Sequence, residues 1–136
     1  MLTGQDIGEA EGALTALLER SIAPSGRTRA EYLTLRVIAG RGPFAHDAQL
    51  IDFLAGQRQL GLDRARVVTL LDSLRAEGLV ANGVELTAVG HALLADLTTA
   101  VAPVTRQVFA GLDPDDLAVA HRVLVQLVER AHAIAR

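Results

Sequence analysis

The stretch that most restricts how this chain can fold is Leu62–Leu94, LDRARVVTLLDSLRAEGLVANGVELTAVGHALL. Asp63 is a good helix N-cap, and its carboxylate also suits the positive end of the helix dipole. Behind it Val67, Leu70, Leu71 and Leu74 fall at helical spacing and mark one buried face. Gly78 stands where a left-handed C-terminal residue is expected, so the helix should stop there. Leu79-Val80-Ala81 and Val84-Glu85-Leu86 then flank Asn82-Gly83, which predicts a type I′ β-hairpin with positive φ at both turn residues. Thr87 can cap the next helix. A helix followed at once by a small hairpin is the second half of a winged helix-turn-helix.

The remaining chain supplies helices around that unit. Residues 3–23 predict a first helix with Ile7, Ala10, Leu14, Leu17, Leu18 and Ile22 as an apolar stripe, ended by Pro24-Ser25-Gly26. Thr28 with Glu31 three residues on is a capping box for a second helix over 29–39, broken by Gly40-Arg41-Gly42-Pro43. A third helix runs over 47–59 and turns at Leu60-Gly61-Leu62. After the hairpin a long helix covers 88–109; Pro103 inside it predicts a kink or break. Asp113-Pro114-Asp115-Asp116 opens the last helix, where Leu117, Leu124, Leu127, Val128 and Ala131 continue an apolar seam. The fold class is therefore mostly α, with one short hairpin. A winged lobe over 27–87 would sit between long helices over 1–24 and 88–136, all in one domain.

Several kinds of chemistry drop out. The chain of 136 residues has no cysteine, which excludes disulfides and thiolate metal or redox sites. It has no lysine either, which excludes P-loop and Schiff-base chemistry. His46, His91, His121 and His132 lack metal-ligand spacing, and no serine has a visible base partner, so neither a metal site, a cofactor nor an enzyme is expected. The start, MLTGQDIGEAEG, is acidic and has no signal-peptide core, and His91, Asp96, Pro103 and Arg106 interrupt the most apolar region. A cytoplasmic protein without a membrane span is the expectation. A net charge of −3 argues against general affinity for nucleic acid but leaves room for a local basic patch.

LLDSLRAEGLV, then ELTAVGHALLADL, and later FAGLDPDDLAVAHRVLVQLVERA, resemble the MarR (multiple antibiotic resistance regulator) family of bacterial transcription factors. In that family the matching segments are the recognition helix, the wing with the long helix leaving it, and the C-terminal dimerisation helix. The resemblance implies a homodimer that binds a double-stranded DNA operator and often responds to a small-molecule effector. It would place that effector in a crevice between the DNA-binding lobe and the dimerisation helices. Helix-turn-helix geometry makes Arg64 and Arg66, on opposite flanks of the exposed face of the recognition helix, the main DNA-contact candidates, with Ala65, Thr69 and Ser73 on that face and Asn82 in the wing turn. Leu14, Leu18, Leu117, Leu124, Leu127 and Val128 are the candidate dimer contacts, because three apolar stripes exceed what one small lobe can cover. Two departures stand out. Thr69 and Ser73 occupy positions that often carry arginine, and Val80–Leu86 contains no arginine for the minor groove. They keep open an alternative: a ligand-sensing or protein-interaction module on this scaffold that has lost tight DNA binding.

Overall fold

A computed structural model describes all 136 residues. It has six helices: α1 (Gly4–Ile22), α2 (Arg29–Arg41), α3 (Asp47–Gly56), α4 (Arg64–Ala76), α5 (Ala88–Phe109) and α6 (Pro114–Ala135). The chain divides into two compact units, Met1–Val104 and Thr105–Arg136. The dividing line thus falls within α5, just after Val104. The helix runs on through Pro103, so of the expected kink or break the break does not occur.

Local capping explains where the helices of the first unit begin. Thr3 and Asp6 form a reciprocal box at α1, and Thr28 and Glu31 form another at α2. Asp63 caps α4 through its side chain, which accepts from the Arg66 amide at 2.8 Å. The third helix is shorter than its sequence pattern suggests. It ends at Gly56, and Arg58–Leu60 form a separate 3₁₀ turn. Gly61 follows at φ +65°, a left-handed position that glycine takes without steric cost, and redirects the chain into α4. Inward faces then meet: Leu35 and Ile38 of α2, Leu50 and Leu54 of α3, and Val67, Leu71 and Leu74 of α4 are all buried. Leu97 of α5 joins them, with Leu93, Leu94 and Val101 packed partly against the same core. Helix α5 is long and apolar enough to cross a membrane by length and composition; Gly90 and Leu97 are its buried residues.

The wing differs from the expected type I′ hairpin. No strand forms; Val80 and Leu86 make a single antiparallel bridge. Neither Asn82 nor Gly83 has positive φ; the left-handed residue is Val84, at φ +49°. The Val84 amide donates to the Ala81 carbonyl at 3.1 Å, and the Ala81 amide to the Glu85 carbonyl at 2.8 Å. A three-residue loop of this kind ends in a left-handed bulge residue. Its cause is register. A two-residue loop would set Val80 opposite Glu85 and turn a carboxylate inward, whereas the bulged loop sets Val80 opposite Leu86, both buried. Val84 is itself 0% exposed.

In the second unit, Gly111 at φ +81° lies in the turn between the two helices. Asp113 caps α6, accepting from the Asp115 amide at 2.7 Å, with Pro114 in the first turn. Helix α6 has no buried residue, although it carries Leu124, Val125, Leu127 and Val128.

Candidate nucleic-acid interface and an adjoining groove

The exposed face of α4 is built by subtraction. Val67, Leu71 and Leu74 are buried, so Ala65, Thr69, Asp72, Ser73 and Ala76 are left facing solvent. Arg64 and Arg66 stand in the first turn with side chains 62% and 70% exposed, free to swing toward a ligand. Both have a carboxylate for company. Arg64 pairs with Asp52 of α3, and Arg66 lies 4.0 Å from the capping Asp63. Exposed pairs of this kind contribute about 0–1 kcal/mol each, so a phosphate or a base edge can displace them. The Thr69 hydroxyl donates back to the Ala65 carbonyl at 3.1 Å. With Asp72 also on this face, two arginines stand among three carboxylates.

Arg75, on the flank of α4, has a different part. Its guanidinium donates to both oxygens of Asp47, at the start of α3, at 2.7 Å each. It also donates to the backbone carbonyls of Asn82 at 3.0 Å and Ala81 at 3.4 Å. The side chain is 19% exposed. One residue therefore ties the end of α4 to the wing turn and to the first turn of α3. The bonded guanidinium holds the Asp47 carboxyl below its ordinary value, and the Asp47 carboxylate raises Arg75 in return. Asn82 is exposed at the wing tip, with its carbonyl engaged by Arg75. Behind the wing, the Thr87 hydroxyl donates to the Gly78 carbonyl at 2.6 Å and accepts from the Gly90 amide at 3.0 Å.

A groove of about 640 Å³ lies between α1, α2, the end of α3 and the turn before α4. Leu18, Leu33, Val37 and Phe53 supply much of its apolar floor, and Arg29, Arg36, Arg41 and Glu11 line it as well. Arg29 donates to the Gln59 carbonyl at 3.1 Å and stands 3.6 Å from Glu11. Arg41 lies over the Phe53 ring, 4.7 Å from its centroid, and Arg36 lies 5.6 Å from that of Tyr32.

The helix-turn-helix candidates Arg64, Ala65, Arg66, Thr69 and Ser73 are thus all exposed on α4, with Ala65, Thr69 and Ser73 on one face and the two arginines on its flanks. The candidates for self-association are divided: Leu14 and Leu18 line the groove, whereas Leu117, Leu124, Leu127 and Val128 lie on α6. Sequence reasoning missed Asp52, Asp47 and the groove arginines, because each acts across elements and leaves no local pattern.

A glycine turn joining α3 to α4, with a wing packed behind α4, defines a winged helix-turn-helix protein. No protein-family model matches the sequence, and no curated protein does. Solved structures do. The chain is 25% identical to the Mycobacterium tuberculosis MarR family protein Rv2887, seen in complex with DNA and with salicylic acid. That match covers 93% of this chain and 98% of Rv2887, with a TM-score of 0.69. The transcriptional regulator PA3341 is 24% identical over 96% of this chain and 98% of its own, with a TM-score of 0.77. The transcriptional repressor CouR, bound to p-coumaroyl-CoA, is 22% identical over 94% and 92%, with a TM-score of 0.72. The chain thus shares its fold with solved MarR family regulators. Transcription regulators, not enzymes, are what it resembles.

Proposed function

We propose that the chain is a cytoplasmic transcriptional regulator that binds double-stranded operator DNA as a homodimer and loosens or tightens that grip in response to a small molecule. The carrying observation is the face of α4 that follows the Asp63 cap: Arg64, Ala65, Arg66, Thr69 and Ser73, exposed together behind a glycine turn. Arginine can pair with guanine edges, and threonine or serine with either base type. Rv2887 in complex with DNA, and relatives of the same fold holding salicylic acid or p-coumaroyl-CoA, support both halves of the reading. Replacing Arg64 and Arg66 together with alanine should weaken binding to the preferred upstream fragment about 100-fold, since each bidentate arginine–base pairing supplies about 1–3 kcal/mol. Titration of labelled upstream DNA checks this. A double mutant that binds as well as the parent would exclude α4 as the reading element.

The carboxylates Asp52, Asp63 and Asp72 around those arginines, and a wing without arginine, favour the second reading, a ligand-sensing or protein-interaction module without tight DNA binding. A parent protein with no preference among upstream fragments would move the conclusion there.

A further inference from the structure

We propose that Asp72 and Val68 decide which base pairs α4 prefers: the Asp72 carboxylate accepts a hydrogen bond from the exocyclic amino group of a cytosine, and Val68 packs on the C5-methyl group of a thymine. The assignment rests on the regulator reading above. Asp72 stands out because nothing in the chain neutralises it. Of the three carboxylates around Arg64 and Arg66, Asp52 and Asp63 each face an arginine, whereas Asp72 makes no ion pair and accepts no hydrogen bond. Arg75 stands three residues on, but all three nitrogens of its guanidinium are engaged, by Asp47 and by the Ala81 and Asn82 carbonyls. A bare carboxylate is left exposed in the third turn of α4.

Such a group repels every phosphate it approaches, so on a DNA-binding face it favours binding only where it meets a donor. On major-groove edges the donors are the amino groups of cytosine and adenine; guanine and thymine offer only acceptors there. Adenine sets its N7 acceptor beside the amino group, against the second carboxylate oxygen, so cytosine is the base that suits an aspartate. A guanine or thymine edge leaves the carboxylate desolvated and unpaired, and rejection of those bases discriminates as much as the bond to cytosine does. Val68 lies between Arg64 and Asp72 at four-residue steps along one ridge of the helix, and is 42% exposed. Its methyl groups satisfy no polar edge, and the one apolar group in the major groove is the thymine methyl. From Arg64 to Asp72 the ridge is about 12 Å long at about 1.5 Å per residue. The major groove is about 12 Å wide, so all three side chains can meet base edges in one groove.

The probe is a randomised duplex pool from which the full chain enriches its preferred sequence, followed by titration of that duplex and of every single-pair change in it. In the parent, replacing one C·G pair per half-site should weaken binding about 5- to 150-fold, the range for a single mismatched pair. Asp72→Asn is isosteric at an exposed position and offers a donor beside an acceptor, the pattern that suits adenine. It should move the preference at that pair to A·T. It should also bind an unrelated duplex several-fold more tightly, because one repulsion of the phosphates is gone. A residue that only supported the helix would change neither. Replacing each thymine in turn by deoxyuridine removes the methyl group alone; at one position this should weaken the parent about fourfold, and Val68→Ala less. An Asp72→Asn base profile identical to the parent's overturns the cytosine assignment. Deoxyuridine tolerated at every position, or felt equally by Val68→Ala, overturns the thymine assignment. Either failure leaves the parent with a preferred sequence that still depends on Arg64 and Arg66. A pool that yields no preferred sequence brings down the regulator reading, and both assignments with it.

Discussion

Val84 holds a left-handed backbone while its isopropyl group is wholly buried, an arrangement that costs a β-branched residue about 1–3 kcal/mol. Burial of that side chain returns about 2 kcal/mol, and the register it permits buries Leu86 as well. The turn is therefore decided by the core and not by its own two tip residues. This separates two glycines. Gly83 has no positive φ and open space around it, so Gly83→Ala should be neutral or stabilising by about 0.4–1 kcal/mol. Gly78, at φ +73°, closes α4, and the same change there should cost about 1–2 kcal/mol. Urea denaturation of the two variants checks the order; a costly Gly83→Ala would restore the type I′ turn. Gly90 is restricted for another reason. A β-carbon there would stand 2.1 Å from the Leu79 carbonyl oxygen, so no rotamer change can relieve Gly90→Ala and the backbone of the α5–wing joint must move.

Among the elements, the starts of α2, α4 and α6 were legible because capping is local: Thr28, Asp63 and Asp113 each bond within three residues. Asn82-Gly83 misled because its preference is also local, and the inward register of Val80 and Leu86 outweighs it. The Arg75–Asp47 pair was invisible for the opposite reason. The partners are 28 residues apart, and Arg75 reads from sequence as one more arginine on a helix flank. The groove arginines were hidden likewise, since α2 alone does not show that α1 and α3 complete a cavity around them. Arg75 makes a prediction at this scale. The short wing has no charged residue reaching α4, so Arg75→Gln should release it, with faster hydrogen exchange at the Ala81 and Val84 amides while α1 and α2 keep their protection. Acid should do the same. Asp47 titrates below its ordinary value of 3.8 when folded, so the pair's contribution is complete above that pH and is lost as the pH falls below it. Wing exchange that rises only with global unfolding, or that responds equally in Asp47→Asn, would disconnect the pair from the acid effect.

At the scale of the whole molecule, α6 is the element a single chain leaves unexplained. Leu124, Val125, Leu127 and Val128 are each at least 42% exposed, and no residue of the helix is buried. A row of that kind marks an interaction surface, and an isologous two-fold contact between copies is its simplest cover. Leu124→Asp would strand a charge in that interface, so sedimentation should show the parent as a dimer at micromolar concentration and the variant as a monomer or unfolded chain. A monomeric parent would remove the homodimer. If the dimer stands, its symmetry sets the DNA prediction. Two copies of α4 should lie about one helical turn of duplex apart, roughly 34 Å, in successive major grooves. Each brings Arg64, Arg66 and the free amides at the start of α4, and the wing brings no arginine, so about five phosphates are neutralised per dimer. At about −0.9 per phosphate, the slope of log affinity against log salt should be near −4 to −5. The carboxylates beside those arginines push the same way: Asp52 and Asp63 must give up their partners before phosphate can take them. Titrations of one upstream fragment across a series of salt concentrations read the slope directly. A slope near −10 would require a basic surface that lies outside α4 and its wing, and a slope near zero would leave the two arginines with their carboxylates.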